Sequence, residues 1–408
     1  LPESTRTILL IMLVAFIALA GGRVILRRRG RPPLFRLHTL GYLIVGLVLG
    51  EQGLGFLSLG MLANLEPVVG LALGWAGLLF GLQFEFRRLG RFPATWAWAA
   101  LVQALVTAGS LLVALILSVN VLFAWEGARY WVGLWLLVAA GSASSPSETA
   151  LAAGSSDRIQ RRFAQFAHYM ASLDSALPVA ILGVLAGWFH AGGGELVPAV
   201  EWAVASVLIG LALGFLFYSY ARHRHTENEL AMMIIAFAVT AAGIAAFLQL
   251  SSLFICMVMG AFIGNSLKDT GGKIFRVLAV RERPILVVLL VLVGAGWQPV
   301  PAAQTLPVAI CLVVFLAARV AAKLVSGALF GRIAGADTQG AGTVGGLALL
   351  GQGGMSVALV ANCQLLFGGL GLTEAVSVAL LGVVAAEAVA AYAARLALVK
   401  RGEKGGGP

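Results

Sequence analysis

Val138-Ala139-Ala140-Gly141-Ser142-Ala143-Ser144-Ser145-Pro146-Ser147-Glu148-Thr149-Ala150-Leu151 reads as a membrane helix interrupted at its middle. Apolar residues run in from both sides, within a span taken as 131–153, and between them stand a glycine, four serines, a proline and a glutamate. Pro146 has no backbone donor and its ring clashes with the preceding turn, so the helix is expected to break there. A second stretch, Gly345-Gly346-Leu347-Ala348-Leu349-Leu350-Gly351-Gln352-Gly353-Gly354-Met355-Ser356, repeats the theme in a span taken as 343–367. Paired interrupted helices in separate halves of a chain point to a binding site near the bilayer midplane, where broken ends turn amides and carbonyls toward a ligand.

The rest of the chain requires lipid as its solvent. Of its 408 residues 60% are hydrophobic and only 11% charged, with mean hydropathy +0.94, more apolar surface than a soluble core could bury. Scanning at the roughly 20 residues needed to cross a bilayer gives thirteen spans. They are 7–26, 40–57, 67–86, 94–122, 131–153, 163–189, 197–220, 229–248, 251–267, 284–297, 305–330, 343–367 and 374–399.

Net charge +10 would suggest nucleic acid in a soluble protein, but here the basic residues sit between apolar runs. If the N-terminus is outside, the inward segments hold 23 Lys and Arg, the outward ones only Arg6 and Arg129. That asymmetry orients a multi-pass protein with a cytoplasmic C-terminus, and nucleic acid is not expected as a partner. The first span is read as a retained helix, the tail after Val399 as irregular. The three cysteines each lie in an apolar run without metal-ligand spacing, and no nucleotide or nucleophile motif suggests an enzyme or a cofactor.

Polar residues inside the spans carry the functional signal, because a charge at membrane depth is disfavoured by about 2.5–3.5 kcal/mol. Asp174, in His168-Tyr-Met-Ala-Ser172-Leu173-Asp174-Ser175-Ala-Leu-Pro178, falls near the bilayer centre. One carboxylate there can take a desolvated cation or a proton in turn. Ser172, Ser175, Ser145 and Glu148, with broken-helix carbonyls around Gly141, Pro146, Gly351, Gln352 and Gly353, could complete an oxygen shell for Na+ or K+. Arg319 and Lys323 share a helical face and need anions, for which Asp174, Glu148 and Glu387 are available.

These features resemble the monovalent cation:proton antiporter superfamily, particularly its bacterial sodium/proton and potassium/proton exchangers, over nearly the whole chain. The resemblance rests on Gly41-Tyr42 through Gly46 and Gly50, Gly53-Leu54-Gly55, Leu79 to Glu85, Ser251 to Asn265, Val293-Gly294, Arg319 to Lys323 and Gly345 to Leu359. In that family an Asn-Asp or Asp-Asp pair follows the first broken helix. Asp174 takes the second, cation-binding place, and Leu173 stands where the first polar residue is expected. Lys323 matches the family's basic partner of the first acid, and Gly351-Gln352-Gly353 replaces Pro-Arg-Gly.

The resemblance implies an all-α polytopic fold with an inverted five-helix repeat and two crossed broken helices, working by alternating access as a homodimer in a bacterial inner membrane. Spans within 7–86 and 229–297 would serve as dimer or scaffold helices, those within 94–189 and 305–399 as the ion-binding core, with 197–220 linking them. Two alternatives remain from the sequence: a non-exchanging relative acting as sensor or subunit, suggested by Leu173 and Gln352, and a sodium-coupled organic anion symporter.

Overall fold

The computed structural model describes residues 38–145, 158–190, 196–222, 226–267, 271–333 and 346–405. The first expected span, Pro146 and Glu148 lie outside the described residues. Within them the chain is helical, the only β pairing being an isolated bridge between Gly50 and Leu57. The main helices are α1 His38–Leu49, α2 Glu66–Leu82, α3 Ala94–Leu122, α4 Gly127–Ser142, α5 Arg158–Asp174, α6 Ala176–Trp188 and α7 Leu196–Ala221. They continue as α8 Glu227–Phe247, α9 Ser252–Ser266, α10 Gly271–Ala295, α11 Thr305–Ile333, α12 Gly353–Phe367 and α13 Thr373–Gly405. Among the described residues seven stretches are long and apolar enough to cross a membrane, including Ala94–Leu122, Gln165–Trp188 and Ala302–Leu329; Glu66–Leu82, Ser252–Ser266 and Pro284–Ala295 are shorter apolar helices. The chain is an all-α polytopic membrane protein.

Several boundaries differ from the sequence reading for identifiable reasons. α4 stops at Ser142 and the backbone turns extended at Ala143 (φ −59°, ψ 141°); Pro146, four residues after Ser142, has no N–H to carry the helical ladder on to the Ser142 carbonyl. The sixth span is divided at Ser175 into α5 and α6. Pro178 removes the N–H that would have bonded the Asp174 carbonyl four residues earlier, which loosens the helix at the carboxylate. The basic segment 271–283, expected between spans, is the first half of α10 with Pro284 inside it, and the tail is helical to Gly405.

Two compact units emerge. The first comprises the described residues of Leu1–Leu89 with Gly183–Pro299 and Ala361–Leu366. Here α2 packs on α9, α1 on α10, and α7 on α9. The α2–α9 contact is a backbone approach: a Cβ on Gly81 would strike the Met257 carbonyl, and one on Gly260 the Leu78 carbonyl. Small residues at such positions are how membrane helices gain close van der Waals packing. α8 opens with a reciprocal cap, in which Glu229 N donates to Thr226 Oγ1 at 3.3 Å and Thr226 N to Glu229 Oε2 at 2.8 Å.

The second unit comprises the described residues of Gly90–Leu182, Val300–Val360 and Phe367–Pro408. Its spine is α3 packed along α11, with α4 and α5 on α3 and α13 on α4 and α11. Arg129 at the start of α4 grips Glu374 at the start of α13 through two bonds of 2.8 and 3.0 Å. The candidate site lies wholly in this unit.

Candidate functional site

The last carbonyls of a helix have no intrahelical partner, and the end of α4 is buried, so those of Gly141, Ser142 and Ala143 must be satisfied from elsewhere. α11 supplies the donors. Arg319, 1% exposed, donates to the carbonyls of Gly141, Ala143 (3.0 Å), Leu350 (3.1 Å) and Gly351 (3.3 Å). It thus joins the end of α4 to the segment leading into α12. The two segments also meet directly, Ser145 N donating to Gly351 O at 2.8 Å.

One turn further along α11, Lys323 is fully buried and paired with equally buried Asp174. Its Nζ lies 2.5 Å from Asp174 Oδ2, 2.7 Å from Ser144 Oγ and 3.2 Å from the Ser142 carbonyl, so all three ammonium protons have acceptors. Ser144 Oγ in turn donates to Asp174 Oδ2 at 2.5 Å. Ser175, at the break between α5 and α6, donates its hydroxyl to the Ser144 carbonyl (3.0 Å) and accepts from Ser144 N (3.3 Å). The broken end of α4 is thereby locked against the carboxylate. Removing one partner of a buried ion pair strands the other charge, so this cluster is held together by mutual need more than by net stabilisation.

The segment entering α12 has its own fixings. Gln352 Nε2 donates to the Ala140 carbonyl at 2.7 Å, and Ser356 Oγ to the same oxygen at 3.1 Å. Gly353, at φ +64°, opens α12, and its N–H donates to Glu387 Oε1 of α13 at 2.6 Å. A carboxylate at a helix N-terminus is favoured by the amides and the dipole there.

The sequence-derived residues therefore divide. Asp174, Lys323, Ser175, Ser145, Gln352, Gly141, Gly351, Gly353 and Arg319 gather at the meeting of the two interrupted helices. Arg319 was expected to seek a carboxylate and bonds backbone carbonyls instead. Glu387 bonds the start of α12, whereas Ser172 bonds the His168 carbonyl of its own helix at 2.9 Å. Leu173 is half-buried beside Asp174. Ser144, which touches both charges, was not singled out. Once the segment is extended, neighbouring side chains point to opposite faces, and nothing in Ser-Ala-Ser-Ser marks which serine faces the acid. Among the described residues no group of three or more His, Cys, Asp and Glu could hold a metal ion by side chains of those types alone. Any cation here would depend on hydroxyl and carbonyl oxygens beside Asp174.

No family model and no curated protein matches the chain. Among solved structures, it is similar to the sodium proton antiporter MjNhaP1 from Methanocaldococcus jannaschii, determined at pH 8, with a TM-score of 0.66 and 14% sequence identity. The likeness covers 97% of this chain and 99% of that one. Coverage this complete gives the chain the fold of that solved antiporter.

Proposed function

We propose that this chain is a secondary transporter that exchanges a monovalent cation, Na+ or K+, for protons by alternating access. The observation that carries the reading is the fully buried Asp174–Lys323 pair where two interrupted helices meet. A single carboxylate in that setting accepts one positive partner at a time. With Lys323 on it the site rests; a dehydrated cation, or a proton, competes for the same oxygens. Asp174 Oδ1, which has no hydrogen-bond partner among the described residues, Ser144 Oγ and the carbonyls at the broken ends supply hard oxygen ligands suited to a monovalent ion. Ser145 and Ser175 belong to this proposal as neighbouring oxygen ligands, and Glu148 as a ligand expected from the sequence alone.

Its finer parts are thirteen crossings, an inverted repeat relating the second to sixth spans to the ninth to thirteenth, and a homodimer built on the helices within 7–86 and 229–297. The setting is a bacterial inner membrane, N-terminus outside and C-terminus inside, as the basic-residue asymmetry supports. The test is proton flux in sealed vesicles on addition of Na+, K+ or Li+. Wild type should respond to at least one, and Asp174→Asn, which keeps the shape but cannot exchange a proton, should respond to none. A folded wild type silent to all three would instead favour a non-exchanging sensor or subunit, for which Leu173 and Gln352 are the pointers.

A further inference from the structure

α3 carries two buried polar side chains that the site described above does not use. Gln103 and Thr107 are both 0% exposed, and among the described residues Gln103 Oε1, Gln103 Nε2 and Thr107 Oγ1 have no hydrogen-bond partner. Buried polar atoms without partners are rare enough in a native fold to need a reason.

Two contacts fix where they lie. At the lower end of α3, the Trp96 ring packs on Phe166 and Tyr169 of α5, with centroids 5.0 and 5.8 Å apart. Higher up, Leu111 of α3 and Phe315 of α11 flank Gly141, a Cβ there falling 2.9 Å from Leu111 Cδ1 and 2.7 Å from Phe315 Cε2. Gly141 and Ser142 are the residues whose carbonyls take Arg319 and Lys323, so the Asp174–Lys323 pair lies alongside α3 between Trp96 and Leu111. At 1.5 Å per residue, Gln103 is about 10 Å above Trp96, as Asp174 is about 7–12 Å above the two α5 rings. Gln103 is about 12 Å from Leu111, as Lys323 is from Phe315. With α3 and α5 running one way and α11 the other, as the proposed alternation of crossings has them, both measures bring Gln103 level with the ion pair, and Thr107, one turn and about 6 Å further on, lies on the same face as Gln103 and Leu111.

Resting on the exchange reading, we propose that Gln103 Oε1 and Thr107 Oγ1 are positioning groups that receive the Lys323 ammonium whenever Asp174 is neutralised by a bound cation or a proton. In the resting pair the ammonium uses Asp174, Ser144 and the Ser142 carbonyl. When Asp174 takes another positive partner, it ceases to attract Lys323, and Ser144 Oγ turns its lone pairs to the same newcomer. Of its three acceptors the ammonium then keeps one, the Ser142 carbonyl. Two unpartnered oxygens on the helix packed against α11, Gln103 Oε1 at its level and Thr107 Oγ1 a turn beyond, supply the missing bonds. Gln103 and Thr107 thereby set how readily Asp174 is released, without touching the transported ion.

An experimental structure of the Asp174→Asn variant tests this without any transport, since the amide imitates a neutralised carboxylate. Lys323 Nζ should lie at about 2.7–3.2 Å from Gln103 Oε1 or Thr107 Oγ1. An ammonium still on Ser142 and Ser144, with the α3 groups bonded only to trapped water, would overturn the proposal. In parallel, the cation concentration giving half-maximal thermal stabilisation should rise about 10-fold in Gln103→Leu and in Thr107→Val. Thr107→Ser should restore it, and the effect should disappear in a Lys323→Met background. An equal loss in that background would make the two residues ligands or packing, against the proposal. If wild type binds and moves no cation, the exchange reading fails, while the Asp174→Asn structure still decides the seat of Lys323.

Discussion

Asp174 engages Lys323 and Ser144 through one oxygen, Oδ2, and the whole buried cluster depends on that atom. Lys323→Ala leaves a carboxylate fully buried beside two serines, and the expected loss is about 3–5 kcal/mol of stability, read as a lowered melting temperature in detergent. Ser144→Ala removes a bond to a charged group from both partners, and should cost about 1.5–3 kcal/mol by the same assay. Leu173 bears on stoichiometry. With an apolar residue where the resembling family places a polar one, the proposed exchange has Asp174 alone to cycle, so it should be electroneutral and its rate in vesicles should not follow an imposed potential. Leu173→Asp adds a second titrating group, and flux should then become potential-dependent. Asp174 and Lys323 were legible in the sequence because a charge in an apolar run stands out. The partners of Arg319 were not, since a sequence displays side chains, and the groups that needed satisfying were orphan carbonyls created by the helix break.

The helices make sense once their interruptions are traced to particular residues. Gly353 combines φ +64° with a Cα facing Ser145, so any side chain there meets both backbone strain and the neighbouring segment. Gly353→Ala should lower stability by at least about 1–2 kcal/mol from the left-handed conformation alone, and should disturb the Gly353–Glu387 bond that starts α12. In the other unit, Gly81→Leu would drive a branched side chain into the Met257 carbonyl. About 1–3 kcal/mol of overpacking is expected, seen as poor recovery of folded protein. The early end of α4 at Ser142 and the break before α12 were visible from Gly, Ser and Pro in apolar surroundings. The division at Ser175 was not anticipated, although its cause, Pro178 four residues after Asp174, stood in the sequence. Proline signals a missing donor, and whether a helix kinks or parts there depends on what else can bond the freed carbonyl.

For the molecule as a whole, the proposed orientation rests on charge distribution. With 23 basic residues on one side of the expected crossings and two on the other, a cysteine placed at residue 404 should react with membrane-impermeant reagent only after the cytoplasmic face is opened. Labelling from outside intact cells would reverse the topology. Arg319 has a mechanical meaning at this scale. One planar group is riveted through four carbonyls to both interrupted segments, and sliding either past the other would bare several of those oxygens at once in a dry interior. The two segments are therefore one solid part, and under the proposed exchange any motion that opens Asp174 to either side of the membrane has to carry that part unbroken.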